Sequence, residues 1–400
     1  MSLSAHGLPE PLRILLLVRA LGFGGAERQA RQLAQGLAAR GHRVRLVAFY
    51  PGPFDPELAA RNPDLVVIGK RGRYDLARFL GRLLRSMAVF APDVVYSFLP
   101  VPNLLAAVFC TLVRRRAALV WGMRGTPLAL NRYDPLARAA VRLERLASRL
   151  PDLVIANSAS GAAALRGDGF AARPVAMIAN GIDTGHFRPA SRSQRLAARA
   201  ALHCPGSAMV VAMVARFDPM KDHPTFFQAI AIAARTAPDL VALIAGDGPP
   251  AAVAELHQMA ARLGIAGRLI WAEARREVTE IYAAADLLCL PSAFGEGFPN
   301  VVGEAMACGR CCVVTAVGDS AAVVGDTGWV VPPRAPQMLA AAILDCLQAI
   351  RKIGAVNLNA RKRIVDNYGV EAMISATECR LMRSVAQRRG RTRRGRGAGR

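Results

Sequence analysis

The stretch Phe294-Gly295-Glu296-Gly297-Phe298-Pro299-Asn300-Val301-Val302-Gly303-Glu304-Ala305-Met306-Ala307 follows closely on the apolar run Leu287–Leu290. The run is short, continuous and ends at turn residues, as expected of a strand covered on both faces. The stretch turns through glycines and then enters an apolar, small-residue helical pattern. It therefore reads as strand, loop, helix. The same rhythm extends outward in both directions. Further strands are expected at Val210–Val214, Leu240–Ala245, Leu269–Trp271 and Cys312–Thr315. Toward the N-terminus they are expected at Ile14–Val18, Val44–Phe49, Leu65–Ile68, Val94–Phe98, Leu119–Trp121, Leu153–Ala156 and Val175–Ile178. Alternation with helical patterns implies βαβ units, right-handed crossovers and a doubly wound parallel sheet in each half.

The expected fold class is α/β, with two Rossmann-like doubly wound domains facing a central cleft. A chain of 400 residues suits two domains, and its 53% hydrophobic content can fill two cores. The boundary is expected near residues 180–189, where Asn180-Gly181 marks a turn and Arg-rich sequence follows. This gives a first domain over 1–185, a second over 186–387, and an Arg/Gly-rich tail over 388–400. The tail offers nothing to bury and repels itself, so it is expected to be disordered.

The formal charge of +23 is uneven: residues 1–185 carry 25 Lys/Arg against 12 Asp/Glu, and 186–387 carry 20 against 17. The basic excess of the first half fits nucleic acid, an anionic membrane face, phosphorylated substrates, or simply a solvated surface. Nothing resembles a nucleic-acid reader module, and phosphate attraction alone is sequence-blind. Met1–Pro11 lacks an apolar core of signal length, and the eight cysteines suit the cytoplasm. Cys308, Cys311 and Cys312 have a CxxC-like spacing without further ligands nearby, and read as small buried side chains. The apolar run Val94–Val113 is interrupted by Pro100, Pro102 and Asn103, and is expected to split into a strand and a helix over Asn103–Val113.

In open α/β sheets ligands collect beyond the carboxyl ends of strands, so motifs there carry most weight. Gly22-Phe23-Gly24-Gly25-Ala26-Glu27 follows the first strand and opens a helix, a place where backbone N–H groups approach phosphate; a tight turn without ligand is the alternative. Arg216 and Lys221 follow strand Val210–Val214, one fixed fork and one mobile point charge suited to a departing diphosphate. A surface ion pair with Asp218 or Asp222 is the alternative there. Ala245-Gly246-Asp247-Gly248-Pro249 is a turn after the next strand. In the opening stretch seven residues separate Glu296 from Glu304. A loop carboxylate can accept bonds from sugar hydroxyls, a helix carboxylate can hold a ribose diol, and the helix start between them presents N–H groups to phosphate.

This segment resembles the EX7E signature of family 4 retaining glycosyltransferases, which have the GT-B fold. Asn180-Gly181-Ile182-Asp183 with Phe187, the Arg216 and Lys221 pair, the Gly246-Asp247-Gly248-Pro249 turn and the stretch Gly318-Asp319-Ser320 to Pro333 fall in the family's order. The similarity spans roughly residues 12–370 and is greatest to enzymes of bacterial surface-polysaccharide assembly. It implies a nucleotide-diphosphate sugar as co-substrate, most commonly a uridine diphosphate sugar, and no metal or other cofactor. It implies that Arg216 and Lys221 hold the diphosphate and that Glu296 binds the transferred sugar, with backbone N–H groups of Gly297, Phe298, Asn300 and Val301 around it and Pro299 lining the same donor site. It places Glu304 on the ribose and Gly24 or Gly25 on phosphate. The implied partners are a glycan or lipid-linked acceptor and, peripherally, the inner face of the cell membrane.

The sequence departs from the family's pattern in three places. Many relatives carry a His near the sugar where Trp121-Gly122-Met123-Arg124-Gly125-Thr126 reads Arg124, a candidate sugar or acceptor contact. Glu273 stands where a Gly is common, before Arg275 and Arg276, and Cys311 replaces the usual Pro after Cys308-Gly309-Arg310. A nucleotide-sugar 2-epimerase shares the architecture and remains the competing enzyme; a nucleic-acid-binding protein is the competing non-enzyme.

Overall fold

The computed structural model describes residues 10–21, 25–50, 64–69, 75–123, 135–167, 174–272 and 278–397. Among these, the first sheet holds β1 (Arg13–Ala20), β2 (Arg43–Tyr50), β3 (Leu65–Val67), β4 (Val94–Phe98), β5 (Ala118–Met123), β6 (Leu153–Ala156) and β7 (Val175–Met177). The second holds β8 (Met209–Val214), β9 (Leu240–Ala245), β10 (Leu269–Ala272), β11 (Leu287–Leu290), β12 (Cys311–Thr315) and β13 (Trp329–Val331). Their orders are β3-β2-β1-β4-β5-β6-β7 and β10-β9-β8-β11-β12-β13, with neighbours parallel throughout. Each sheet reverses its winding beside its first strand, and a crevice opens there beyond the carboxyl ends.

The continuous apolar runs are explained by burial on both sides. Leu15 and Leu17 of β1 enter one core of the first domain, Ile14, Leu16 and Val18 the other. Val211 and Met213 of β8 are separated in the same way from Val210, Ala212 and Val214. Side chains two apart share a face, so a strand with helices on both sides needs apolar residues at every position.

The helices of the first part are α1 (Gly25–Ala39), α2 (Leu76–Phe90), α3 (Pro100–Val108), α4 (Pro135–Leu146) and α5 (Ala159–Gly167). The second part has α6 (Arg192–Ala201), α7 (His223–Ala233), α8 (Pro250–Arg262), α9 (Thr279–Ala284), α10 (Asn300–Ala307), α11 (Ser320–Val324), α12 (Pro336–Ile353) and α13 (Leu358–Tyr368), and α14 covers Val370–Gly397. The run 94–113 divides into β4, α3 and a π-helical turn at Phe109–Val113. Among the described residues no helix is long and apolar enough to cross a membrane. Cys308, Cys311 and Cys312 are buried free thiols.

Two expectations are corrected. The segment from Arg388 is not disordered as far as Gly397, because α14 continues through it. Arg388 pairs with Asp152 at 3.2 Å and donates to the Arg115 carbonyl, while Arg389 pairs with Asp93 at 3.0 Å. Acids of the first domain neutralise charges that, taken within the tail alone, only repel. The boundary at 185 also fails to divide the chain in two. Met373, Ile374, Leu381 and Val385 of α14 share a core with Leu12, Leu16, Val94 and Tyr96, so the last helix belongs to the first domain. The chain crosses between domains twice, and the crossings meet where Ile182 N donates to Tyr368 O at 2.8 Å and Val370 N to Ile182 O at 3.0 Å.

Candidate functional site

The loop after β8 is shaped by its two acids. Asp218 caps the short turn Pro219–Lys221, accepting from Met220 N at 2.8 Å. Asp222, in left-handed conformation, caps α7 through Thr225 N at 3.2 Å and Thr225 Oγ1 at 2.7 Å. Capping keeps these acids from serving as partners of the basic pair. Arg216 is exposed on the cleft wall. Lys221 pairs instead with Glu296, across from β11. Behind it, burial and the Lys221 charge push the His223 imidazole down to about 4, so it is neutral at pH 7.

The loop after β11 is fastened to this turn by Ala293 N, which donates to Met220 O at 2.8 Å. Glu296 is buried and accepts from Ser292 Oγ at 2.5 Å as well as from Lys221. Gly318, with φ of 59°, presses so closely on the Glu296 carbonyl that any Cβ there would collide with it. Only glycine combines that approach with a left-handed backbone. The chain then enters α10, whose first N–H groups lack intrahelical acceptors and face the cleft with the positive end of the helix dipole. Glu304, a turn further on, is buried; its carboxylate accepts from Tyr282 OH at 2.9 Å and from Arg28. Burial, then the Glu304 charge, raises the Tyr282 phenol well above its ordinary value, so it stays a proton donor.

The first domain supplies the opposite wall. Arg28 reaches Glu304 from α1. Any Cβ on Gly25 would collide with Asn300 Nδ2, and Asn300 Oδ1 accepts from Asn180 at 2.8 Å. Asp319 caps the N-terminus of α5, accepting from Ala159 N at 2.6 Å and Ser160 N at 3.0 Å. Between these contacts lies a cleft of about 540 Å³. Gly25, Arg216, Lys221, Glu296, Gly297, Phe298, Pro299, Asn300, Val301 and Glu304 all line it, at the switch point between β8 and β11. Gly24 and Arg124 lie outside the described residues, as do Glu273, Arg275 and Arg276.

Arg28, Tyr282 and Ser292 were not singled out from sequence. Arg28 directly follows the glycine-rich motif, on the helix that motif opens, which is a usable signal. Tyr282 and Ser292 have no such signal, because they act only by touching the two acids. Chemically the cleft offers two cations and a helix start for an anion, with a hydroxyl-accepting carboxylate at either side. Each Glu304 oxygen accepts one bond and has a second lone pair for a ligand hydroxyl.

Two facing Rossmann-like sheets with such a cleft constitute the GT-B architecture. Residues 23–186 match Glycosyltransferase Family 4 and residues 208–349 match Glycosyl transferases group 1; the chain belongs to the family 4 glycosyltransferases. It is 33% identical to the D-inositol 3-phosphate glycosyltransferase of Segniliparus rotundus over 195 residues, 47% of this chain and 42% of that protein. It is 31% identical to D-inositol 3-phosphate glycosyltransferase 2 of Catenulispora acidiphila, over 53% of this chain and 51% of that protein. The aligned part thus spans about half the length of these curated relatives or less. Among solved structures, Anabaena Alr3699/HepE in complex with UDP-glucose superposes with a TM-score of 0.81 at 25% identity, covering 94% of this chain and 99% of that one. Sucrose-phosphate synthase from Thermosynechococcus elongatus shares the fold with a TM-score of 0.79 at 21% identity, covering 94% and 99%.

Proposed function

We propose that the protein is a metal-independent, retaining glycosyltransferase that moves a sugar from a nucleotide-diphosphate sugar to a glycan or lipid-linked acceptor in surface-polysaccharide assembly. The observation that carries this reading is the convergence of Arg216, Lys221, Glu296, Glu304 and the α10 N-terminus on one interdomain cleft. UDP-sugars are the favoured donors, in line with the UDP-glucose bound to the Anabaena neighbour. Arg216 and Lys221 hold the diphosphate, whose charge grows as the glycosidic C–O bond breaks. Fixed cations are worth most where charge develops, so they act on turnover. Glu296 accepts from hydroxyls of the transferred sugar and Glu304 from the ribose diol. Gly25 and the N–H groups of Gly297, Phe298, Asn300 and Val301 approach the phosphates. The departing phosphate takes the acceptor's proton as the acceptor oxygen bonds the anomeric carbon on the same face, so no separate protein base is used.

The test is a donor screen across nucleotide sugars, with and without soluble acceptor. Transfer, or slow hydrolysis of one donor, is expected. Conversion of the donor to its 2-epimer without acceptor would instead establish the competing epimerase.

The acceptor is proposed to lie at an anionic membrane, which the protein meets peripherally from the cytoplasmic side. Helix α4 supports this: Leu136 and Leu146 are 80% and 79% exposed, and its one buried residue is Glu144. Exposed Leu112 and Val113 lie on the turn before Arg114, Arg115 and Arg116. Exposed leucines amid arginines suit an anionic interface, where each cation contributes about 1 kcal/mol. The other basic cluster, Lys70-Arg71-Gly72-Arg73, lies outside the described residues.

A further inference from the structure

The cleft contains one polar group that these roles leave unused. Asn157 follows β6 and is 4% exposed. Its Oδ1 is buried without a hydrogen-bond partner, although Asn157 lines the cleft. Several other buried polar atoms also lack partners, among them Ser160 Oγ, Ser320 Oγ and His223 Nε2, but none of those side chains borders this cavity. Buried amide oxygens are ordinarily satisfied, so one left over at a ligand cleft marks a missing donor.

The position of Asn157 says which end of the cleft lacks that donor. A Cβ placed on Gly297 would lie 3.0 Å from Asn157 Oδ1, so the amide rests against the loop residue directly after Glu296. Of the other polar side chains that the first domain brings to the cleft, Arg28 sits instead at Glu304 and Asn180 at Asn300. Asn157 thus stands beside the loop that carries Glu296, where Lys221 pairs with that carboxylate, and Arg28 stands at Glu304. The backbone N–H of Asn157 is already engaged with Met123 O at 3.3 Å, which holds the residue at the end of its strand.

We propose that Asn157 accepts a hydrogen bond from a hydroxyl of the transferred hexose and is a specificity-determining residue of the donor site. This rests on the donor reading above. Because it comes from the first domain, the contact forms only when that domain is closed on the second. Recognition of the sugar and assembly of the cleft are then one event. The nucleotide, held by the second domain and Arg28, does not require Asn157.

The experiment compares wild type with Asn157→Leu, near in shape but without hydrogen-bonding atoms, and with Asn157→Asp, which keeps an acceptor. UDP affinity is measured by calorimetry, and kcat/KM is measured for UDP-glucose, UDP-galactose and UDP-N-acetylglucosamine. For Asn157→Leu, UDP affinity is expected within about twofold of wild type, while kcat/KM for the preferred sugar falls roughly 10–100-fold. The ranking of the three sugars should flatten, and Asn157→Asp should recover part of it. Unchanged sugar ranking and rates would overturn the proposal. So would a loss of UDP affinity as large as the loss of kcat/KM, which would make Asn157 a packing residue. A wild type that neither binds UDP nor uses any nucleotide sugar would remove the donor reading, and this proposal with it.

Discussion

Replacing Glu144 by Gln should abolish a pH dependence of stability that the first domain carries in its core. Glu144 is 1% exposed, and its Oε1 accepts from Asn103 Nδ2 at 2.6 Å. Asn103 Oδ1 accepts in turn from Ser97 Oγ at 2.6 Å. Burial pushes the carboxyl from 4.5 up to about 7, against a smaller opposing effect of the Asn103 bond. Below pH 4.5 the group is protonated folded or unfolded, and its contribution is complete. Between there and about 7 the unfolded chain ionises while the folded one keeps its proton, so stability falls as pH rises. At about 1.4 kcal/mol per pH unit, the loss between pH 5 and pH 8 is roughly 3 kcal/mol. Glutamine fills the same space without ionising. Urea unfolding, followed by buried Trp121 in a background with Trp271 and Trp329 replaced by Phe, would be run at both pH values. The variant should gain about 3 kcal/mol relative to the parent on going from pH 5 to pH 8. An equal difference at both pH values would refute the reasoning.

Lys221→Ala should lower kcat on the order of 10²–10³-fold, as loss of a single electrostatic donor typically does, whereas Glu304→Ala should mainly raise the donor KM; steady-state kinetics decide, and wild-type behaviour in both would sink the site assignment. Truncation after Gln387 removes the Arg388 and Arg389 pairs, which are partly exposed, so it should destabilise by about 1 kcal/mol, lower Tm by about 2–4 °C and spare turnover of a soluble acceptor. Replacing Leu143 and Leu146 by Ser, or reversing the charge of Arg114–Arg116, should weaken sedimentation with anionic vesicles at low salt. If both proteins pellet as wild type does, α4 is not the membrane-facing element.

Much of the scaffold was legible because sheets covered on both sides demand unbroken apolar runs. Val94–Phe98, Leu153–Ala156, Leu240–Ala245 and Leu287–Leu290 have the ends expected of them. Strand β13 was missed, since Trp329–Val331 is three residues between Gly328 and Pro332 and carries no period to read. The apolar face of α14 is visible in sequence, but nothing local says which of two cores it joins. The same holds at the cleft. Residues placed by a strand end, such as Arg216 and Lys221, were visible, and the structure brings them together with Glu296 and Glu304. Arg28, Tyr282 and Asn157 matter through neighbours 276, 22 and 140 positions away in the chain, and no spacing rule reaches that far.

The return of α14 to the first domain also sets a timetable for synthesis. When residue 185 leaves the ribosome, the first sheet lacks the helix that supplies Met373, Ile374, Leu381 and Val385 to its core. That helix is made about 200 residues later, a wait of roughly 10–40 s at ordinary translation rates. In that interval Leu12, Leu16 and Leu46 are only partly covered, and the nascent chain presents them to whatever holds unfinished proteins. Of the two domains, the one whose strands are made first is therefore completed second. A fragment ending at the sequence boundary between the domains would be arrested at that stage.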